Sequence, residues 1–259
     1  MLPLNPVHLA NVTSLHETFA AADPFPILVL DDFLDPDLAS ALAAEFPPLE
    51  AMPRSRDYMF GNKRELSSLE NVGPASRRFY DAVTAHSFAQ FLSAVSGISV
   101  FVDSAFHGGG LHQGGKGSFL DFHVDFNVHP LHADWLRRLN VLVYLTPDWS
   151  EEWGGHLLVR RDPAQEPRAI APLFNRAIIM LSDDFTYHGY RRFSAPDGVT
   201  RRSIATYAYA GIAEGGMVPR TTRWVPEDAG PIKRAVARNF NGMVQLKNRF
   251  LGSGTAKNR

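Results

Sequence analysis

Behind the pair Asp35-Pro36, which suits a helix cap and first turn, apolar residues recur every fourth position at Leu38, Leu42 and Phe46 until Pro47 and Pro48 stop the pattern. This spacing predicts a short helix. Residues 50–73 show no sustained period, and their mixture of Arg54, Arg56, Tyr58, Lys63 and Arg64 predicts a long exposed loop placed to cover an opening. Helical spacing returns over 74–95 through Phe79, Val83, Phe88, Leu92 and Val95, with Ser87 as an internal cap and Gly97 as the terminator.

Beyond Gly97 the pattern changes to short runs rich in β-branched and aromatic residues, separated by Gly and Pro. Predicted strands are 98–102, 119–126, 139–145, 156–159, 177–181 and 201–209. Many short strands after a helical block predict a mainly β fold with flanking helices, a sandwich or jelly roll carrying its helices on one sheet. The chain then reads as a single domain: a helical and loop region at 1–97 packed on the core, a β core at 98–212, and a basic tail or helix at 213–259. From Lys233 onward that tail carries Lys233, Arg234, Arg238, Lys247, Arg249, Lys257 and Arg259 with no acid, while Val236, Phe240, Met243 and Phe250 keep a roughly helical period. A docked helix with its basic face in solvent is the expectation.

The stretch F-L-D-F-H-V-D-F-N at 119–127 raises its own question. In an extended strand Leu120, Phe122, Val124 and Phe126 take one face, and Asp121, His123, Asp125 and Asn127 the other. Such a polar face is either ordinary solvated surface or a set of metal ligands, and the stretch alone does not choose.

Composition narrows the chemistry. There is no cysteine, so disulfides, thiolate nucleophiles, iron–sulfur clusters and zinc–thiolate sites are all removed, and any metal is left to His and carboxylate ligands. A net charge of -1 gives no global attraction to nucleic acid or membrane, so neither is expected as a partner, and the oligomeric state is left open. The first 22 residues hold no Lys or Arg, and the apolar run 27–30 is too short for a signal-peptide core or a span, so a cytoplasmic protein is expected.

The segment G-L-H-Q-G-G-K-G at 110–117 nearly matches a phosphate-binding loop. It has Gly117 where magnesium needs a hydroxyl, and it leads into a strand instead of a helix, so it reads as a flexible Gly-rich turn. His129 and His132 match neither a strand face nor a helical pair, and His107 and His112 merely flank glycines. Surface or supporting roles are expected for them.

A stronger constellation joins His123 and Asp125 to His188 in F-T-Y-H-G-Y. Two histidines and one carboxylate on one face are the ligand set of non-haem iron(II) oxygenases. Asp121 stands as close to His123 along the strand as Asp125 does, so spacing leaves both carboxylates open. In R-R-S-I-A-T-Y at 201–207, Arg201, Ser203, Ala205 and Tyr207 share a face. A guanidinium buried there requires an anion, such as a dicarboxylate; otherwise Arg201 is a surface strand end.

Taken in order, F-H-V-D-F-N, R-R-L-N-V-L-V-Y-L-T-P-D-W, W-G-G-H-L, P-L-F-N-R-A-I-I-M-L, Y-H-G and R-R-S-I make the chain resemble the iron(II)- and 2-oxoglutarate-dependent oxygenases, prolyl-4-hydroxylase-like branch. The resemblance implies a double-stranded β-helix (jelly roll) core, with His123, Asp125 and His188 as catalytic iron ligands and Arg201 as anchor for the distal carboxylate of 2-oxoglutarate. Strand phase selects Arg201 over Arg202, because Ser203 then shares its face. Tyr144 is implied to help hold that carboxylate, with Asn140 and Leu142 as pocket walls and Leu157 beside them. The implied cofactors are iron(II), 2-oxoglutarate as co-substrate and O2, with ascorbate as an auxiliary reductant. The implied reaction hydroxylates an unactivated C–H bond of a small molecule or peptidyl residue, releasing succinate and CO2. Asp125 separates the chain from halogenating relatives, which lack this carboxylate. Two alternatives are an inactive jelly-roll binding protein, which the intact triad and Arg201 weigh against, and a His/Asp zinc hydrolase, which leaves Arg201 and Tyr144 without a use.

Overall fold

The computed structural model describes residues 3–53, 59–213, 216–227 and 229–251, with residues 241 and 245–251 described by their backbone alone. Two helices that no strong period announces, α1 (Pro6–Ala10) and α2 (Val12–Ala21), precede strand β1 (Ile27–Leu30) and helix α3 (Pro36–Ala44). Asp35 caps α3 by accepting from the N–H groups of Asp37 and Leu38 at 3.1 and 3.2 Å, a contact worth about 1 kcal/mol. Helix α3 ends at Ala44, so Phe46 enters the core from the segment beyond it.

The loop expected over 50–73 is instead partly ordered. It contains β2 (Gly61–Asn62) and β3 (Arg64–Leu66), and Met52, Phe60 and Leu69 are buried. Strands of two and three residues are too short to show a period. Arg54, Arg56 and Tyr58 lie outside the described residues. The helical spacing over 74–95 belongs to two helices, α4 (Pro74–Val83) and α5 (His86–Ser96), and Ser87 is inside α5 while Ala85 stands at its cap position. One period runs through the break because Phe79, Val83, Phe88, Leu92 and Val95 all face the same core. Gly97 ends α5 with φ +71°, a left-handed cap.

The remaining strands are β4 (Phe101–Val102), β5 (Gly110–Gly114), β6 (Phe119–Val124), β7 (Val128–His129), β8 (His132–Tyr144), β9 (Leu157–Arg160), β10 (Arg168–Ile170), β11 (Ala177–Leu181), β12 (Tyr187–Tyr190), β13 (Arg201–Gly211) and β14 (Arg223–Trp224), followed by α6 (Pro231–Leu251). The expected Gly-rich turn is therefore wrong over its first half: β5 is a buried strand between β3 and β13. Its glycines serve close approach, since a Cβ on Gly110 would collide with the Leu66 carbonyl.

All strands pair antiparallel in two sheets. One has eight strands in the order β1-β11-β8-β13-β5-β3, with β4 on β13 and β7 on β8; the other has six, β10-β9-β12-β6-β14, with β2 on β6. The architecture is a jelly roll with flanking helices. Residues 61–66 cross from one sheet to the other, with Lys63 at the crossing. Along β8, β11 and β13 alternate residues take opposite faces. Val141, Val143, Ile179 and Ile204 pack with Phe33, Leu38, Phe79, Phe88 and Leu92 of the helical side, while Asn140, Leu142, Tyr144, Met180, Ser203 and Tyr207 face a cavity between the sheets. Both faces being covered over the second half of β8 explains why residues 139–144 read as an almost continuous apolar run.

Helix α6 docks through Ala237 and Phe240 onto Phe60 and Trp224. Its basic face is not wholly solvated: Lys233 forms an ion pair with Asp121 at 2.6 Å, whereas Arg234 and Arg238 are exposed. The side chains of Lys247 and Arg249, and all of Lys257 and Arg259, lie outside what is described. No described helix is long and apolar enough to cross a membrane.

Candidate metal centre and its cavity

Strands β6 and β12 are neighbours, and their register sets His123 directly opposite His188. Their rings lie 4.3 Å apart between centroids. Asp125 follows immediately after the end of β6 at Val124 and turns its carboxylate toward both, with Oδ1 3.5 Å from His123 Nε2 and Oδ2 3.4 Å from His188 Nε2. Among the described residues this is the one group of three whose ligand atoms, one from each side chain, all lie within 4.8 Å of one another.

Backbone carbonyls fix the orientation of both rings. His123 Nδ1 is 2.9 Å from the Asp121 carbonyl and His188 Nδ1 is 3.2 Å from that of Thr186. A carbonyl only accepts, so each Nδ1 carries the proton and each Nε2 turns a lone pair inward. Burial, reinforced by the neighbouring His123, pushes His188 down to about 4, so it is neutral near pH 7. Burial works against ionised Asp125, but Arg137 above all, joined in acid by the two histidines once they carry charge, overcomes it and holds the carboxyl well below the usual range. Two imidazole lone pairs and a carboxylate converging on one point repel one another unless a cation sits between them, so the donor set fits a divalent metal.

The carboxylate has support that the sequence reading missed. Asn140 donates to Asp125 Oδ2 at 2.7 Å and Arg137 Nη2 approaches the same oxygen at 3.0 Å. Arg137 is itself buried, with its guanidinium 3.4 Å from the Tyr207 ring centroid and 4.7 Å from that of Phe126. An arginine in mid-strand was the available signal, but Arg137 and Arg138 stand side by side and the strand was expected to begin only at 139.

The simple alternation expected over 119–127 fails at both ends. Asp121 reaches Lys233, and Asn127 accepts from the Arg220 and Val128 N–H groups at 2.7 and 2.8 Å. Leu120 and Phe126, expected to share a face with buried Phe122 and Val124, line the cavity. The reason is local: β6 stops at Val124, and its pairing with β12 shifts register between His188 and Tyr190.

Arg201 lies in the same cavity, 7% exposed. Its Nε donates to the Gly155 carbonyl at 2.7 Å, its Nη2 lies 3.3 Å from the Tyr144 hydroxyl, and the guanidinium sits 4.2 Å from the Tyr190 ring centroid. Gly155 has φ +75°, and a Cβ there would press on Phe193 and Arg201. Burial raises the Tyr144 phenol against the pull of Arg201, so it stays protonated and can donate. No carboxylate partners Arg201 among the described residues, which suits an anion brought in from outside. Arg202 points the other way, donating to the Ala43 carbonyl at 3.0 Å and lying over Phe46. Ser203, Asn140, Leu142 and Leu157 all line the cavity, whose volume is about 570 Å³.

Other residues of the wall were not anticipated. Lys63, Glu65, His112 and Trp224 face the cavity. His129, expected at the surface or in support, is buried, with Nε2 3.3 Å from Asp103 Oδ2 and Nδ1 accepting from the Leu131 N–H at 3.1 Å. His132 is exposed and stacks on Trp135 at 3.9 Å between centroids.

Residues 109–209 match the family model described as the 2OG-Fe(II) oxygenase superfamily. Among solved structures, a prolyl hydroxylase from Trichoplax adhaerens in complex with a hypoxia inducible factor peptide fragment is similar at TM-score 0.55 and 16% identity, over 79% of this chain and 91% of that one. A Pseudomonas putida prolyl-4-hydroxylase is similar at 0.54 and 18%, over 77% and 98%. HygX from Streptomyces hygroscopicus, with nickel, 2-oxoglutarate and hygromycin B bound, is similar at 0.51 and 14%, over 78% and 87%. At these identities the shared feature is the fold. No curated protein sequence matches.

Proposed function

We propose that this chain, whose residues 109–209 match the 2OG-Fe(II) oxygenase superfamily model, is an iron(II)- and 2-oxoglutarate-dependent oxygenase in which His123, Asp125 and His188 hold the iron(II), while Arg201, Tyr144 and Ser203 hold the distal carboxylate of 2-oxoglutarate. When bound, the metal and the keto acid supply oxygen activation, with 2-oxoglutarate leaving as succinate and CO2 and an oxygen atom entering a C–H bond of the substrate. The chain's own residues ligate, orient and exclude water.

The observation that carries this reading is the pairing of two features in one cavity: a cluster of metal-ligand lone pairs fixed by Nδ1 hydrogen bonds, and a buried guanidinium with no carboxylate of its own. Arg201 would set the far end of the keto acid so that its other end meets the metal in one orientation. Asn140 and Arg137 would keep Asp125 ionised and aimed. In this reading residues 98–212 are the catalytic core, with 1–97 packed on it and 213–259 as the appended tail. Strands from outside the core complete both sheets: β1, β2, β3 and β14.

The substrate is a small molecule or a peptidyl residue. The fold admits both, since one similar structure holds a peptide fragment and another hygromycin B. The test is succinate formation from 2-oxoglutarate in air, with iron(II) against a metal-free control. Succinate above the control supports the reading. None above it, with a broad panel of amino acids, peptides and sugars present, would favour a binding protein that keeps the cavity without the reaction.

A further inference from the structure

Three polar side chains of the cavity wall take no part in the site proposed above. Lys63, where residues 61–66 cross between the sheets, donates to Glu65 Oε1 at 2.8 Å and lies 3.2 Å from His112 Nδ1. Glu65 and His112 are register partners on β3 and β5, and all three residues line the cavity.

An ammonium only donates, so His112 Nδ1 is the acceptor and Nε2 carries the ring proton. That Nε2–H is buried and, among the described residues, makes no well-aligned hydrogen bond: the Gly108 carbonyl acts on the ring but already accepts from the Tyr207 hydroxyl at 2.9 Å, and Glu65 Oε1 is 3.9 Å away. Burial, with the charge of Lys63, pushes His112 down to about 3 and keeps the ring neutral. Burial works most strongly against the charge of Lys63, but Glu65, together with Tyr207 and Tyr190, more than offsets it, so the ammonium stays charged. Among the described residues two of its three N–H groups are committed, to Glu65 and His112, and one is left. A buried donor without an acceptor is unfavourable in the empty protein and is satisfied when a ligand brings one.

The charge of the cavity narrows what that ligand is. Its lining carries Lys63, Arg137, Arg201 and Arg220 against Glu65 and Asp125, and Asp184 neutralises Arg220 from outside the lining. One positive charge remains, and iron(II) together with dianionic 2-oxoglutarate adds none. We propose that Lys63 and His112 bind a carboxylate of the substrate, the ammonium N–H meeting one oxygen and His112 Nε2–H the other. The proposal rests on the oxygenase reading and adds a substrate class to it. A monoanion neutralises the loaded cavity; a cationic substrate would leave it with still more positive charge. The carboxylate belongs either to a free amino or other organic acid or to the C-terminus of a peptide.

The test uses the iron(II)-loaded protein holding 2-oxoglutarate without oxygen. It is titrated calorimetrically with L-amino acids, other small carboxylic acids and tripeptides, each as free acid and as primary amide, and the same panel is scored for succinate in air. At least one free acid should bind tenfold or more tightly than its amide and should raise succinate formation; whether it is a small acid or a tripeptide identifies the source. Two variants should lower that preference to within twofold: Lys63→Met/Glu65→Gln, which leaves no unpaired carboxylate, and His112→Phe. Both should melt cooperatively and bind 2-oxoglutarate within twofold of wild type. Equal binding of acids and amides, no binding by any compound, or a loss of 2-oxoglutarate affinity in these variants as large as in Arg201→Ala overturns the proposal. A wild-type protein that binds no 2-oxoglutarate overturns the oxygenase reading itself, and the proposal with it.

Discussion

Asn140 donates its side-chain amide to Asp125 Oδ2 at 2.7 Å and accepts from Arg137 Nε at 2.8 Å through its own carbonyl oxygen. One uncharged side chain thus links a buried cation to the carboxylate of the metal-ligand cluster, and both neighbours favour the ionised form of Asp125. Partners of this kind typically contribute ~10–100-fold to metal affinity. Asn140→Leu should therefore weaken iron(II) binding by about that factor while His123 and His188 keep their backbone anchors. Arg137→Met should weaken it further and raise the pH below which iron is released. Metal titrations across a pH series check both, and unchanged affinity in Arg137→Met would remove the role given to that residue.

The two carboxylates flanking His123 should separate cleanly. Asp125→Ala should abolish iron binding and iron-dependent turnover. Asp121→Ala should keep both and lose stability instead, by about 1–3 kcal/mol for leaving a partly buried charged group without its partner, because its ion pair with Lys233 ties β6 to α6. Iron binding beside thermal melting distinguishes them, and the reverse pattern would exchange their roles.

Adjacent arginines on β13 should differ in the same manner. Arg201→Ala should weaken 2-oxoglutarate binding by at least about two orders of magnitude, since stranding one partner of a buried pair costs about 3–5 kcal/mol. Iron affinity should change much less. Arg202→Ala should leave co-substrate binding near wild type and lower stability by roughly 1 kcal/mol through the lost bond to Ala43. Titration with 2-oxoglutarate settles the matter, and a larger loss in Arg202→Ala would mean the strand phase is off by one.

His112 gives the metal-free protein a signature in acid. Its pKa in the fold, about 3, is far below the ordinary value of 6.5, and Lys63, Glu65 and Arg201 are the charged groups acting on it. The unfolded chain takes up the proton first, so the stability held above pH 6.5 is lost progressively toward pH 3, by a few kcal/mol. His188, pushed down to about 4, adds to the decline over the same window, and Asp125 acts in the same direction at the acid end. His112→Phe should flatten the upper part of this decline, between about pH 6.5 and 4.5, in denaturant melts; an unchanged slope would show that His112 titrates normally.

The stripe of apolar positions on α3, α4 and α5 and the alternation on β8, β11 and β13 were legible because each element has one face fixed against a large core. His123, Asp125, His188 and Arg201 were legible as candidates because the ordered series of segments from F-H-V-D-F-N to R-R-S-I resembles the oxygenases; spacing alone left Asp121 and Asp125 both open and allowed Arg201 to be a surface strand end. The wall formed by Lys63, Glu65 and His112 was not. It depends on pairing between β3 and β5, segments distant in sequence and too short or too rich in glycine to show a period. The support of Asp125 by Arg137 was hidden for a related reason: only the register of β8 distinguishes Arg137 from Arg138, which lies 3.5 Å from Asp183.

Residues 61–66 occupy the edges of both sheets at once, Gly61 and Asn62 on β6 and Arg64 to Leu66 on β5. Unpaired strand edges are templates for foreign strands. Cleavage or displacement of these six residues would therefore do more than widen the mouth of the cavity. It would uncover two rows of backbone donors and acceptors, one on each sheet, and turn an interior seam of the chain into a site of self-association.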